Sequence, residues 1–412
     1  MKTFKKVFQQ TGWQIIGKGI SAFSTIYILA IITRLYGEYG TGIYTLSLAY
    51  LSFFFLAADL GLNGYILPKL SKDVNQANIL FSIRFIWSII LVIISNILVW
   101  FLPFKNELFV QSVFLGSVSI FFSGLFNSSN LVFQNNLRYD KSVISQSFGA
   151  AASLLVTFYL SSVKVPISIL ALGPLCGWIV NGLSAMFFVR GFYKFKFFFP
   201  ETKHIIALAK SAWPISLSLL LNVIYFRVDT FILSAWYSFS EVGIYNLAYQ
   251  IFSNILVLPA FIMNGYYPLM IKTLTDYRVI FIKQIKFAGL FLLLASIVIA
   301  VLIWYLSPFI VQIVAGGGFE GSSRALRILS FGLPAYFLSA LLMWTMVCVE
   351  KLKPMLSVYF LGLITNIFLN LLFIPAFSFI AASWVTVITE YLILILQITI
   401  LWKEFSNYEP DN

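Results

Sequence analysis

Apolar residues run along this chain in long stretches almost free of charge, and the polar residues collect in short segments between them. A helix of about 20 apolar residues, rising 1.5 Å per residue, spans the ~30 Å hydrocarbon core of a bilayer. About twelve such helices are predicted, at residues 11–33, 43–66, 79–102, 108–133, 142–163, 165–189, 211–236, 242–265, 284–306, 326–349, 355–377 and 379–402. Little more than residues 377–379 separates the last two. Trp13, Tyr36, Trp100, Trp236, Tyr237, Tyr266, Tyr267 and Trp402 gather at the span ends, where interfacial aromatic residues belong. The pattern predicts an all-α integral membrane protein.

The pattern also repeats. Gly42-Ile43-Tyr44 returns as Gly243-Ile244-Tyr245, and Asn63-Gly64-Tyr65 as Asn264-Gly265-Tyr266. Leu46 matches Leu247 and Ser52 matches Ser253, all at one offset of 201 residues. Six predicted spans fit inside that offset, an even number, so both copies cross the membrane in the same direction. The expectation is two six-helix lobes, residues 1–200 and 201–412, related by an axis along the membrane normal as in the parallel repeats of some transporters. Their boundary is expected in the linker 191–210.

Composition sharpens this reading. Of 412 residues, 60% are hydrophobic and only 10% are charged, with a mean hydropathy of +0.93. A soluble domain carries about 25% charged residues, so a soluble fold is excluded. The basic start MKTFKKVFQQTGWQ leads into a long apolar span without an A-x-A site, which reads as an uncleaved first membrane helix. The net charge of +12 does not point to nucleic acid. Lys and Arg divide between alternate loops about 19 to 5, which places both termini on the cytoplasmic side. Cys176 and Cys348 lie inside apolar spans as small core residues, and the single His204 cannot build a metal site. No cofactor is expected. The linker FYKFKFFFPETKH alternates Lys with aromatics and is expected to lie on anionic lipid, Lys heads in the phosphates and Phe rings below. A docking surface for a cytoplasmic partner is the alternative for this linker and for 272–286.

Six charged residues fall more than one helical turn inside the spans: Lys18, Asp59, Arg84, Arg227, Asp229 and Glu390. A charge at bilayer depth costs roughly 2.5–3.5 kcal/mol on insertion scales, so such residues face a partner or a polar cavity. Arg84 lies near its helix end, where it can snorkel to the interface. Lys18 and Asp59 sit at similar depth on neighbouring helices, and an ion pair between them is the structural reading. Arg227 and Asp229 are two residues apart and point to nearly opposite faces, so they do not pair with each other. Pro214, earlier in that helix, allows a bend. Glu390 is the deepest. Two roles are open to it: binding and releasing a proton during transport, or a neutral hydrogen bond to a neighbouring helix.

Motifs for enzymatic chemistry fail. AGGGFEGSSRAL lacks the G-K-[ST] of a phosphate loop, and no H-x-E, H-E-x-x-H, G-x-S-x-G or C-x-x-C stands in a suitable context. No nucleotide-binding domain is present, so transport work would draw on an ion or substrate gradient.

Several stretches together resemble a known family. The stretch ITRLYGEYGTGIYTLSLAYLSFFFLAADLGLNGYILPKLSK is similar to an R-x-L-G-x-x-x-x-G-x-Y … D-x-G-L pattern, although Leu35 here follows Arg34 directly. SAWPISLSLLLNVIYFRVDTFILSAWYSFSEVGIYNLAYQ is similar to P … R-x-D-x-x-I-L … V-G-I-Y-x-x-A-Y. SPFIVQIVAGGGFEGSSRALRILSFGLP and ITNIFLNLLFIPAFSFIAASWVTVITE resemble the last characteristic blocks. The family is the polysaccharide-exporter branch of the multidrug/oligosaccharidyl-lipid/polysaccharide (MOP) superfamily, with its Wzx-type flippases. The resemblance implies a MATE-like fold and movement of undecaprenyl-pyrophosphate-linked oligosaccharide across the bacterial inner membrane, for O-antigen or another surface polymer. It also implies alternating access around a cation-lined cavity, coupling to H+ or Na+, and a repeat-unit polymerase and chain-length regulator as partners. Carried over, Arg34, Asp59, Arg227 and Asp229 occupy the family's recurrent charged positions. Lys18, Arg84 and Arg227 are the candidates to meet the substrate's pyrophosphate. Asp59, Asp229 and Glu390 are the candidates for ion coupling or charge pairing, and Arg34, Arg324 and Arg327 supply outer-side charge. Two rivals stand beside this reading: a multidrug cation antiporter of the same superfamily, which would want an acidic cavity, and a non-transporting polysaccharide-assembly protein.

Overall fold

The computed structural model describes the backbone of residues 2–70, 75–104, 106–276 and 278–406. Side chains are described from residue 12 onward within these ranges, except at 68, 69, 207, 209, 211, 214, 215, 218, 264, 268, 275, 276 and 278. The side chains of Pro214 and Asn264, and of the loop cations Lys2, Lys5, Lys6, Lys69, Lys72, Lys105 and Arg278, lie outside the described residues. Every regular element among the described residues is helical.

Packing divides the chain into two units, Met1–Ile224 and Tyr225–Asn412. The first contains α1 (Lys2–Asp59), α2 (Leu62–Leu70), α3 (Asn75–Leu98), α4 (Glu107–Ser117), α5 (Ser119–Asn135), α6 (Tyr139–Ser162), α7 (Leu172–Val189) and nearly all of α8 (Thr202–Tyr225). The second contains α9 (Val228–Trp236), α10 (Phe239–Ile255), α11 (Val257–Asp276), α12 (Arg278–Ala315), α13 (Glu320–Ser330), α14 (Leu333–Cys348) and α15 (Leu352–Ser406). Packing thus joins α8 to the first unit, beyond the linker at 191–210. Ser216 on α8 donates to the carbonyl of Leu60 at 2.8 Å, and Leu208 and Ala212 pack with Leu62, Ile66 and Leu80.

The distribution of side chains is that of a protein dissolved in lipid. On α3 the buried positions include Asn78, Ser82, Arg84, Ser88 and Ser95, while Ile89, Ile90, Ile93, Ile97 and Leu98 are exposed. On α12, Phe287, Leu290, Phe291, Leu294, Val298 and Val301 are all exposed. Exposing so many large apolar side chains while burying hydroxyls and amides is stable only against hydrocarbon. This is a multi-pass membrane protein.

Among the described residues, eight helices are long and apolar enough to cross a membrane, or ten if two bent pairs each count as one span. The number is below twelve because α1, with 58 residues, and α15, with 55 residues, each run through two predicted spans. Each is interrupted where those spans meet. Gly37, at φ 62° and ψ −165°, breaks α1, and Ser378, at φ 52° and ψ −139°, breaks α15. The first conformation is essentially restricted to glycine.

The 191–210 linker differs from its expectation. Its extended backbone sends alternate rings onto protein rather than into lipid. Phe195 stacks on Phe81 of α3 at 4.7 Å and Phe197 lies against Phe85 at 5.2 Å. Between them, the Lys196 N–H donates to Asn78 Oδ1 at 2.9 Å and the Phe198 N–H to Ser82 Oγ at 3.2 Å. Lys194 and Lys196 remain exposed. Nearby, in the loop before α6, Arg138 donates to both carboxylate oxygens of Asp140, which raises the guanidinium above its ordinary value.

Candidate functional site

Each unit encloses a polar centre. In the first, α1 ends at Asp59 and the chain turns through Leu60 and Gly61, at φ 48° and 63°, into α2. A helix C-terminus leaves carbonyls without partners and carries negative partial charge, so a cation suits it. Arg84 supplies one. Its Nη2 donates to Asp59 Oδ1 at 2.8 Å and to the Asp59 carbonyl at 3.2 Å, and its Nη1 donates to Asn63 Oδ1 at 2.7 Å. One turn on, the Trp87 indole N–H donates to the Ala57 carbonyl at 2.8 Å. Asn63 in turn donates to the Asn127 carbonyl of α5 at 3.1 Å. Arg84 is 1% exposed and Asp59 35%. The arginine Nε–H has no acceptor among the described residues.

Arg84 therefore does not snorkel to an interface. It is buried because a carboxylate, a carbonyl and an amide oxygen meet it there. The ion-pair partner of Asp59 is Arg84 rather than Lys18, which stands exposed on α1.

In the second unit two carboxyl groups are held among hydroxyls. Asp229, in the first turn of α9, is 2% exposed. It accepts from the Thr230 N–H at 3.0 Å, from Thr386 at 3.2 Å and from the Tyr245 hydroxyl. Thr230 donates to Asn246 at 2.8 Å, so α9, α10 and α15 are tied through one acid. Glu390, 4% exposed, accepts from Ser339 of α14 at 2.5 Å and from Tyr225 at 3.0 Å. Tyr249 stacks on Tyr245 at 5.6 Å. Arg227 interrupts the helix before α9, at φ −132°; it is half-buried and its side chain makes no hydrogen bond or ion pair with any described residue. The chain thus breaks at residues 226–227, next to the charges, rather than at Pro214.

The outer-side candidates are dispersed. Arg34 and Arg324 are exposed, while Arg327 donates to Ser307 at 3.0 Å and lies over the Trp304 ring at 5.4 Å. Sequence reasoning missed Asn63, Tyr225, Tyr245, Ser339 and Thr386, all neutral. A signal existed for two of them. Tyr245 belongs to the repeated Gly-Ile-Tyr and Asn63 to the repeated Asn-Gly-Tyr. Tyr44 and Tyr245 are both buried, at 6% and 0% exposed.

The first unit also holds a cavity of about 400 Å³ between α1, α6 and α7. Its polar wall is neutral: Ser21, Ser24, Gln146, Ser153 and Asn181, with Trp178 beside them. Among the described residues no Asp, Glu, Lys or Arg lines it. The helices around it are locked at short range, because a Cβ on Gly149 would meet the Gly177 carbonyl oxygen at 2.7 Å. Small residues at such crossings let membrane helices approach backbone to backbone.

The sequence pattern of the family described as polysaccharide biosynthesis protein matches residues 7–274. The chain belongs to that family. The MatE family pattern matches residues 214–372 of this family member. Its fold is that of solved MOP-superfamily transporters. A lipid II flippase MurJ structure in an inward closed conformation is 16% identical, with a TM-score of 0.77 over 96% of this chain and 87% of that one. An inward-facing multidrug resistance MATE transporter of the MOP superfamily is 14% identical, with a TM-score of 0.78 over 93% of this chain and 95% of that one. At such identities the likeness is one of fold. No curated protein sequence matches the chain.

Proposed function

We propose that this protein is a flippase for lipid-linked oligosaccharide, moving undecaprenyl-pyrophosphate-linked repeat units from the inner to the outer leaflet of a bacterial cytoplasmic membrane. The family match over residues 7–274 carries the reading. The fold shared with a lipid II flippase supports it. Lys18, Arg84 and Arg227 are the cations more than one turn inside predicted spans, and a pyrophosphate crossing hydrocarbon needs cationic and hydrogen-bonding groups. Arg227 is the first choice to meet it, because Arg84 is already held by Asp59 and Asn63. Glu390 is the proposed coupling group, through H+ or Na+ exchange, its carboxyl gathered by Ser339 and Tyr225. The N- and C-termini face the cytoplasm in this reading, and a repeat-unit polymerase and chain-length regulator act on the product to build O-antigen or another surface polymer.

The MatE match favours a second reading, a multidrug cation antiporter. The uncharged wall of the first-unit cavity argues against it, since a cationic drug wants a carboxylate. Deleting the gene separates the two. The flippase reading expects lipid-linked units to accumulate in the inner leaflet with unchanged drug susceptibility. Restored export from a plasmid should be lost with Arg227→Ala at unchanged protein level. Hypersensitivity to cationic drugs with normal surface polysaccharide would contradict it.

A further inference from the structure

We propose that the cavity between α1, α6 and α7 is a recognition site for one neutral sugar unit, held by hydrogen bonds from uncharged side chains and by packing on Trp178. The proposal deepens the flippase reading and rests on it only for where the sugar comes from.

Unsatisfied polar groups carry the inference. Ser21, Ser24, Gln146 and Ser153 make no hydrogen bond to any described residue through their side chains. Asn181 Oδ1 is buried without a partner, in a residue only 6% exposed. Many other helix hydroxyls close on their own backbone, as Ser123 does on Ile120 at 2.7 Å and Ser145 on Lys141 at 2.9 Å. Buried polar groups are normally paired, and the more strictly so within a membrane. Ser24 and Asn181 are buried and, with the half-buried Gln146 and Ser153 and the exposed Ser21, they turn unpaired polar side chains to one space, which marks a ligand or the water that stands in for it. The volume of about 400 Å³ lies within the ~300–1,000 Å³ usual for small-molecule sites.

The chemistry selects the ligand. With no ionisable group on the wall, neither a phosphate nor a cation has a counter-charge there. Serine hydroxyls and carboxamides both donate and accept, which matches hydroxyls and acetamido groups on a sugar ring. A pyranose also has a face of C–H bonds that packs on an aromatic ring. Trp178 offers such a ring, braced from behind by Phe55 at 5.2 Å and 29°. Lys18, next in sequence to the lining residue Gly17, is exposed and is not part of the wall.

Binding can be read without transport. The full chain in lipid nanodiscs is titrated with methyl glycosides of glucose, galactose, rhamnose, N-acetylglucosamine and N-acetylgalactosamine, by saturation-transfer NMR. At least one glycoside should receive saturation at its ring C–H protons. Gln146→Leu, nearly isosteric, should weaken it about five- to tenfold, the loss of one or two neutral hydrogen bonds. Ser153→Ala, which removes a single oxygen, should weaken it in the same direction. Absence of transfer from every glycoside overturns the proposal, as does binding that both variants leave unchanged. Either failure leaves the flippase reading untouched, and a flippase reading that fails leaves a measured sugar site standing.

Discussion

Arg84 shows what a charge within a membrane helix requires. Its guanidinium closes the end of α1 and neutralises Asp59 together. Truncating either partner leaves the other uncompensated. Arg84→Leu or Asp59→Asn should each destabilise the protein by about 3–5 kcal/mol. The double replacement Arg84→Leu with Asp59→Asn should cost less than the sum, as read by thermal unfolding in detergent; additive losses would contradict the pairing. Glu390→Gln should remove the dependence of transport on an imposed ion gradient, while its hydrogen bonds to Ser339 and Tyr225 keep the fold. A gradient response equal to wild type would exclude Glu390 as the coupling group. The charged residues themselves were legible in the sequence, because hydropathy makes a charge conspicuous inside a span. Their partners were not, because pairing depends on how each helix is rotated about its axis. The neutral groups around Asp229 and in the sugar cavity were invisible for a related reason. Ser, Thr and Asn are common in membrane helices and leave no mark on hydropathy.

At the scale of elements, two breaks organise the longest helices. The predicted junction at residues 377–379 falls on Ser378, and the Arg34–Gly37 stretch contains the break in α1. Gly37→Ala should cost roughly 1–3 kcal/mol, since only glycine adopts its backbone angles without strain, although open space surrounds its Cα. Ser378 sits in similar territory and donates its hydroxyl to Glu241. Ser378→Ala keeps the strain and loses the bond, and should destabilise by about 1 kcal/mol. Ser378→Gly relieves the strain as it loses the bond, and should be the milder of the two. Unfolding midpoints for the pair check the order. Pro214 allows a bend, but the chain breaks between α8 and α9, beside Arg227. Proline is the strongest sequence signal for a bend, but a half-buried arginine and an acid anchored to Tyr245 and Thr386 interrupt the helix instead.

For the whole molecule, the apolar pattern was enough to establish an all-helical membrane protein, because lipid imposes a length and a composition on every span. The internal repeat was also legible, and Ile43 and Leu46 are buried as are their counterparts Ile244 and Leu247. Packing drew the unit boundary later than the linker, because α8 follows the linker in sequence yet packs on Leu62, Ile66 and Leu80. Composition and spacing could not give the substrate. The proposed one comes from the resemblance, and the match to a polysaccharide biosynthesis family supports it.

The most direct measurement reconstitutes the purified chain into liposomes holding undecaprenyl-pyrophosphate oligosaccharide, and follows access of a membrane-impermeant glycosidase to the sugar. The account predicts that cleavage passes beyond the outer-leaflet pool with the wild-type chain, and stops at that pool with Arg227→Ala or in empty vesicles. Cleavage that halts at the outer-leaflet pool for wild type, under an imposed H+ or Na+ gradient of either direction, would contradict it.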